Sequence, residues 1–173
     1  MSIYKELKKF LLMIILVLYA CGGDSGTGTD DSIYTDNGNG TVTDTNTGLI
    51  WQKCGKGQNI KTCQGGYITM TWDSAKLYCS GLELAGKIWE LPPVDDLSGL
   101  VDISYVPVIN SKFFPNTKNA LYWTGTGTWN YEFGSCIATA VDFQWGEVAN
   151  NLSCSGGQSF YVRCVSKPST TQP

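Results

Sequence analysis

The alternation of apolar and polar residues changes character several times along this chain. Phe10 to Ala20 is unbroken apolar sequence behind Lys5, Lys8 and Lys9. Gly22 to Asp31 carries no large apolar side chain. From Ile33 onward, short apolar clusters alternate with turn residues. Asp36-Asn37-Gly38-Asn39-Gly40 predicts a turn, Thr41 to Asp44 a short strand, Asn46-Thr47-Gly48 a second turn, and Leu49-Ile50-Trp51 another strand. Thr71 to Ser80 predicts a helix: Trp72, Ala75, Cys79 and Leu82 fall on one face, Thr71 suits the cap, and Gly81 suits the stop. A second short helix is predicted around Val94 to Val101, with Pro93 in its first turn, Asp95 and Asp96 at its positive end, and Leu97, Leu100 and Val101 as its apolar stripe. Beyond Ser111, Leu121–Thr124, Ala138–Phe143 and Ser159–Val165 read as strands, punctuated by Gly125, Gly127, Gly146, Gly156 and Gly157. Strands, two helices, then strands imply an α+β domain.

The apolar run is too short to cross a bilayer, which takes about 20 residues. Behind a basic stretch and ahead of a small residue, it fits the h-region of a secretion signal. Leu18-Tyr19-Ala20-Cys21 resembles the lipobox of bacterial lipoproteins, with Tyr19 a less usual residue in its slot. That likeness implies cleavage before Cys21 and acyl chains on Cys21 as a membrane anchor. The expected layout is a signal peptide over 1–20, a flexible tether over 21–32, a folded domain over 33–166 and a disordered tail over 167–173. Gly22 stands where an Asp would resemble an inner-membrane retention signal. The expected location is therefore the cell envelope, lipid-anchored, at the outer membrane of a diderm bacterium.

Export changes the cysteine arithmetic. The chain has seven cysteines. With Cys21 acylated, Cys54, Cys63, Cys79, Cys136, Cys154 and Cys164 remain, an even set that reads as three disulfides. Cys54 and Cys63 flank a polar loop and suit a local staple. A zinc site is disfavoured by the lack of any CxxC spacing and of any histidine. The missing histidine also removes the commonest general base. Fifteen acidic residues face twelve basic ones, a balance without the electrostatic footprint of nucleic-acid binding. No cofactor is expected. The oxygens of Asp36 to Asp44 suggest calcium, but Gly38 and Gly40 occupy positions where an EF-hand loop needs ligands, so turn chemistry is the better account. Asp95 and Asp96 are adjacent, and successive helix residues diverge by about 100 degrees, so they suit a helix end better than a facing glycosidase pair.

Asp36-Asn37-Gly38-Asn39-Gly40-Thr41-Val42-Thr43-Asp44, with Thr47-Gly48-Leu49-Ile50-Trp51, resembles the opening motif of the Lcl C-terminal domain family. Trp89-Glu90-Leu91-Pro92-Pro93 with Asp96-Leu97 is similar to its central segment, with Glu90 in place of an arginine and Pro93 in place of a threonine. Phe114-Pro115, Tyr122-Trp123-Thr124, Val141-Asp142-Phe143 with Gly146, and Val162-Arg163-Cys164-Val165 resemble its later signatures. The resemblance implies a C-type-lectin-like fold, related to formylglycine-generating enzymes, with two short helices and a twisted, mostly antiparallel sheet. It also implies a pairing of Cys79 with Cys164 and Cys136 with Cys154, leaving Cys54 with Cys63. The Glu-Pro-Asn, Gln-Pro-Asp and Trp-Asn-Asp motifs of calcium-dependent sugar binding are absent, and Trp129-Asn130-Tyr131-Glu132 only echoes the last.

The expected activity is non-catalytic binding of a polysaccharide or surface protein, as in adhesion. An envelope enzyme of the formylglycine-generating type and a structural envelope lipoprotein are the alternatives. Trp129, Tyr131 and Trp145 lie in Gly/Asn-rich segments and are the candidate ligand-binding aromatics. Trp51, Trp72, Trp89 and Trp123 sit in regular elements and are expected in the core.

Overall fold

The computed structural model describes residues 33–168 apart from Tyr131 and Phe133. Cys21, with the segments read as leader and tether, lies outside the described residues, as do residues 169–173.

The turn-rich opening forms three strands, β1 (Tyr34–Asp36), β2 (Thr41–Asp44) and β3 (Ile50–Gln52). Asp and Asn side chains build the turns between them. Asp36 Oδ1 accepts the Gly38 N–H, Asn39 Oδ1 accepts the Thr41 N–H, and Asp44 Oδ1 accepts the N–H groups of Asn46 and Thr47. Such Asx contacts substitute for backbone partners in tight turns. The helix α1 (Trp72–Ser80) follows. Trp72, Ala75 and Cys79 are buried, as their spacing predicts, but the Thr71 hydroxyl donates to Ser74 Oγ instead of capping the helix. The second helix α2 (Val94–Ser98) is one turn long, and Pro93 is its N-cap residue, one position earlier than expected.

The second half is a hairpin and its extension: β4 (Leu121–Asn130), β5 (Ser135–Asp142) and β6 (Glu147–Ser153), with β7 (Val165–Ser166) near the end of the domain. Two antiparallel sheets result, one ordered β1-β2-β3-β7 and one β4-β5-β6, where the sequence led us to expect one. The segment 159–165 was expected to be a continuous strand. It instead changes partner almost every residue: Phe160 bridges Met70, Tyr161 bridges Tyr122, and Val165 pairs with Glu90 and Trp51. One strand spanning two sheets cannot hold a single ladder, so regular pairing survives only in β7. Conversely, β4 continues past Gly125 and Gly127, which were read as punctuation, with a shift of register between Trp123 and Gly127. A Cβ on Gly127 would come within 2.7 Å of the Trp72 ring, so glycine here lets the strand lie on α1. The strand β6 was not anticipated, because its outward, polar sequence has little apolar alternation.

The core has two clusters. One gathers Trp51, Leu97, Ile109, Phe114, Tyr122, Val141 and Phe143 beneath the first sheet and α2. The other gathers Trp72, Ala75, Trp89 and Trp123 with four of the disulfide sulfurs around α1. The disulfides join Cys54 to Cys63, Cys79 to Cys164, and Cys136 to Cys154, the same pairing that the family resemblance implies. The second of these ties α1 to the C-terminal segment across 85 residues.

Candidate functional site

The sheet β4-β5-β6 carries the surface best suited to a ligand. Side chains along a strand alternate between faces. In β4 that alternation places Thr124, Thr126 and Thr128 together, and a register shift between Trp123 and Gly127 carries Thr124 inward. The hydroxyls of Thr124 and Thr139 hydrogen-bond to each other at 2.5 Å, and Thr126 Oγ1 accepts the Val94 N–H at the start of α2. Thr126 is thereby fixed by the helix, while Thr128 stands opposite Ile137 further along the hairpin. Between β5 and β6, Asn150 and Asn151 complete a shallow groove of about 280 Å³. Every side chain lining it is uncharged, so it offers hydroxyls, amides and one aliphatic surface, and no group suited to proton transfer.

Trp129 lies at the end of β4, next to this groove. It is opposite Cys136 in register, and Cys136 is locked to Cys154. The indole is 37% exposed and stands on the sheet face opposite to Thr128 and Ile137, so it borders the groove without lining it. Tyr131 lies outside the described residues. Trp145 is in the turn that joins β5 to β6, beyond Asp142. The six residues from Cys136 to Asp142 put the two tryptophans about 20 Å apart along the hairpin. The structure therefore does not bring Trp129 and Trp145 to one site. The threonine–asparagine groove was missed in the sequence, although the Thr-x-Thr-x-Thr spacing of residues 124–128 was a period-two signal for it.

A larger groove, about 580 Å³, runs between α1 and Gly125. Its charges are already matched. Asp73 pairs with Lys76 at 3.3 Å, Lys76 also lies over the Trp72 ring at 3.8 Å, and Glu90 pairs with Lys167 at 2.8 Å. Nearby, burial raises the Asp96 carboxyl, Lys167 opposes that, and Glu90 and Asp95 add to it. These groups form an electrostatic cluster at the start of α2, and the one hydroxyl lining the groove, Ser80, donates to the Leu77 carbonyl of its own helix.

The carboxylates of the first turns are also engaged separately, Asp36 by Lys53 at 2.6 Å and by Gly38, and Asp44 by the backbone of its own turn. Among the described residues, no three acidic, cysteine or histidine side chains gather as a metal would need. All six described cysteines are in disulfides. Among the described residues, no helix is long and apolar enough to cross a membrane.

Among curated proteins, none matches this sequence. The family profile of the Lcl C-terminal domain matches residues 40–166, from the first turn to β7. That span holds every strand but β1, both helices and all three disulfides, and the chain belongs to the Lcl C-terminal domain family.

Proposed function

We propose that this protein is a lipid-anchored component of the bacterial cell envelope, held at the outer membrane through Cys21, whose Lcl C-terminal domain binds a ligand without transforming it. The observation that carries this reading is the uncharged groove of Thr126, Thr128, Thr139, Asn150 and Asn151 beside Trp129. Hydroxyl and amide groups exchange hydrogen bonds with a neutral polyol, and Ile137 offers an apolar contact. A neutral polysaccharide fits this chemistry better than a charged one. Chemistry of the formylglycine-generating type needs free thiols, and the pairing of the six described cysteines argues against it.

A C-type-lectin-like fold is part of the same proposal. It is supported by the bridge from α1 to the C-terminal segment, by the inner disulfide of the hairpin, and by the pairing of β3 with β7, which brings the two ends of the domain together.

A glycan array with the full chain tests the binding reading. Binding of a neutral polysaccharide is expected, with at least a tenfold loss in both Thr128→Val and Asn150→Ala while near-ultraviolet circular dichroism stays native. An empty array, or wild-type binding by both variants, refutes it.

A further inference from the structure

Trp145 belongs to a different surface. It is 67% exposed in the β5–β6 turn. That turn leans on the base of a second loop: the Val108 N–H donates to the Phe143 carbonyl at 2.9 Å, and Gly146 packs against Val101 and Val108. The second loop is closed where Val101 pairs with Ile109, and its tip holds Ile103 and Val106, exposed by 84% and 86%. Two touching loops thus present Ile, Val and Trp to the outside. Large apolar side chains so exposed on neighbouring loops mark an interaction surface. Within the tip, the Ser104 N–H is held by Asp102 Oδ1 and the Tyr105 N–H by the Asp102 carbonyl. Those backbone donors would not be stranded on leaving water.

The position of this surface identifies its occupant. Ile33 and Tyr34, where the described chain begins, pack in the same core cluster as Val101 and Val108 at the base of the loop. Tyr34 meets the Phe113 ring at a tilt and the Phe114 ring edge-on. About a dozen residues separate Ile33 from Cys21. An extended residue spans at most about 3.5 Å, so an acylated Cys21 keeps Ile33 within roughly 40 Å of the bilayer.

We infer that Ile103, Val106 and Trp145 form a second, non-covalent membrane contact that seats the domain on the lipid surface. The inference rests on the reading of Cys21 as the anchor. Tryptophan favours the bilayer interface because its ring is apolar and its N–H is polar, and Ile and Val add burial in the acyl boundary. Asp102, Asp142 and Glu147 flank the tips, so the preferred surface is zwitterionic and not anionic. Seated this way, the Trp129 end of the hairpin is held away from the lipid.

The test uses the full chain with vesicles of phosphatidylcholine brominated in the acyl chains. Emission is expected to be quenched and shifted to the blue, and both changes are expected to vanish in Trp145→Phe. Ile103→Ser with Val106→Ser should demand roughly tenfold more lipid for the same quenching. Equal quenching of wild type and Trp145→Phe, or no quenching of either, overturns the inference. Stronger quenching in brominated phosphatidylglycerol overturns its zwitterionic preference. Mass spectrometry of the Cys21 peptide reads acylation separately, so loss of the anchor reading and loss of the loop contact are distinguishable.

Discussion

Arg163 offers the sharpest test of how this domain holds together. Its side chain is fully buried between β3 and the loop of residues 113–117. Nη1 donates to the carbonyls of Gln52 and Lys53, each at 2.6 Å, and Nη2 donates to Thr117 Oγ1 at 2.9 Å. The guanidinium carbon lies 4.8 Å from the Phe114 ring. Among the described residues no carboxylate pairs with it; neutral oxygens and an aromatic face meet its two terminal nitrogens, and the buried Nε–H has no hydrogen-bond partner. Replacing Arg163 by Met keeps most of the volume and orphans three acceptors. At about 1–3 kcal/mol each, the gross loss is about 3–9 kcal/mol. Release of a buried charge returns part of this, so the expected net loss is about 2–4 kcal/mol. A domain of this size loses about 2–4 °C in Tm per kcal/mol, which predicts a fall of about 5–15 °C. Arg163→Lys should be at least as damaging, because one ammonium keeps the charge and cannot reach all three acceptors. Thermal unfolding with the disulfides intact measures both. Thr117→Val should cost about 1 kcal/mol alone and almost nothing in the Arg163→Met background. A Tm for Arg163→Met within about 2 °C of wild type would refute the reasoning, for it would mean that desolvation cancels the bonds.

The Cys79–Cys164 bridge closes 85 residues and the Cys54–Cys63 bridge closes 9. Paired serine substitutions should therefore cost about 4.5 and about 2.5 kcal/mol by urea unfolding, and the reverse order would refute the loop-entropy account. Burial raises the Asp36 carboxyl, but the Lys53 hydrogen bond, the Gly38 N–H and the Lys53 charge together hold it below its ordinary range. A carboxyl depressed in the folded state adds stability above its unfolded pKa and loses it as pH falls through the folded value. Lys53→Met should thus lower stability at neutral pH, by no more than about 1 kcal/mol for a surface pair, and the gap should close as pH falls below about 4. A gap that persists in acid would show that the lysine stem matters more than its charge. Gly127→Ala would set a methyl 2.7 Å from the Trp72 ring and 2.8 Å from the Ile137 carbonyl, so a loss of about 1–3 kcal/mol is expected, and unchanged stability would mean that β4 moves freely away from α1.

The parts of this protein that the sequence determined alone are those whose cause is local. The buried face of α1 follows from helical spacing at Trp72, Ala75 and Cys79, and the first turns follow from side chains that bond their own backbone at Asp36, Asn39 and Asp44. Trp51, Trp72 and Trp123 were legible as core because each lies within a patterned element, whereas Trp89, expected there on the same ground, is buried outside any helix or strand. The parity of the cysteines was legible too, whereas their partners needed the likeness to a family. Tertiary structure decided the rest, because its causes join distant residues. Strand alternation would turn Arg163 and Cys164 to opposite faces, yet both are fully buried, since the segment from 159 to 165 runs between two sheets and has protein on either side. Gly125 and Gly127 spell a turn locally and serve as a landing for Leu91 and Trp72 in space. Trp129 and Trp145 look alike in their glycine-rich surroundings, and only the register of β4 with β5 sets them at opposite ends of the hairpin. Local chemistry fixes what each short segment prefers to be, and non-local packing fixes which segments meet, which is where a binding surface is made.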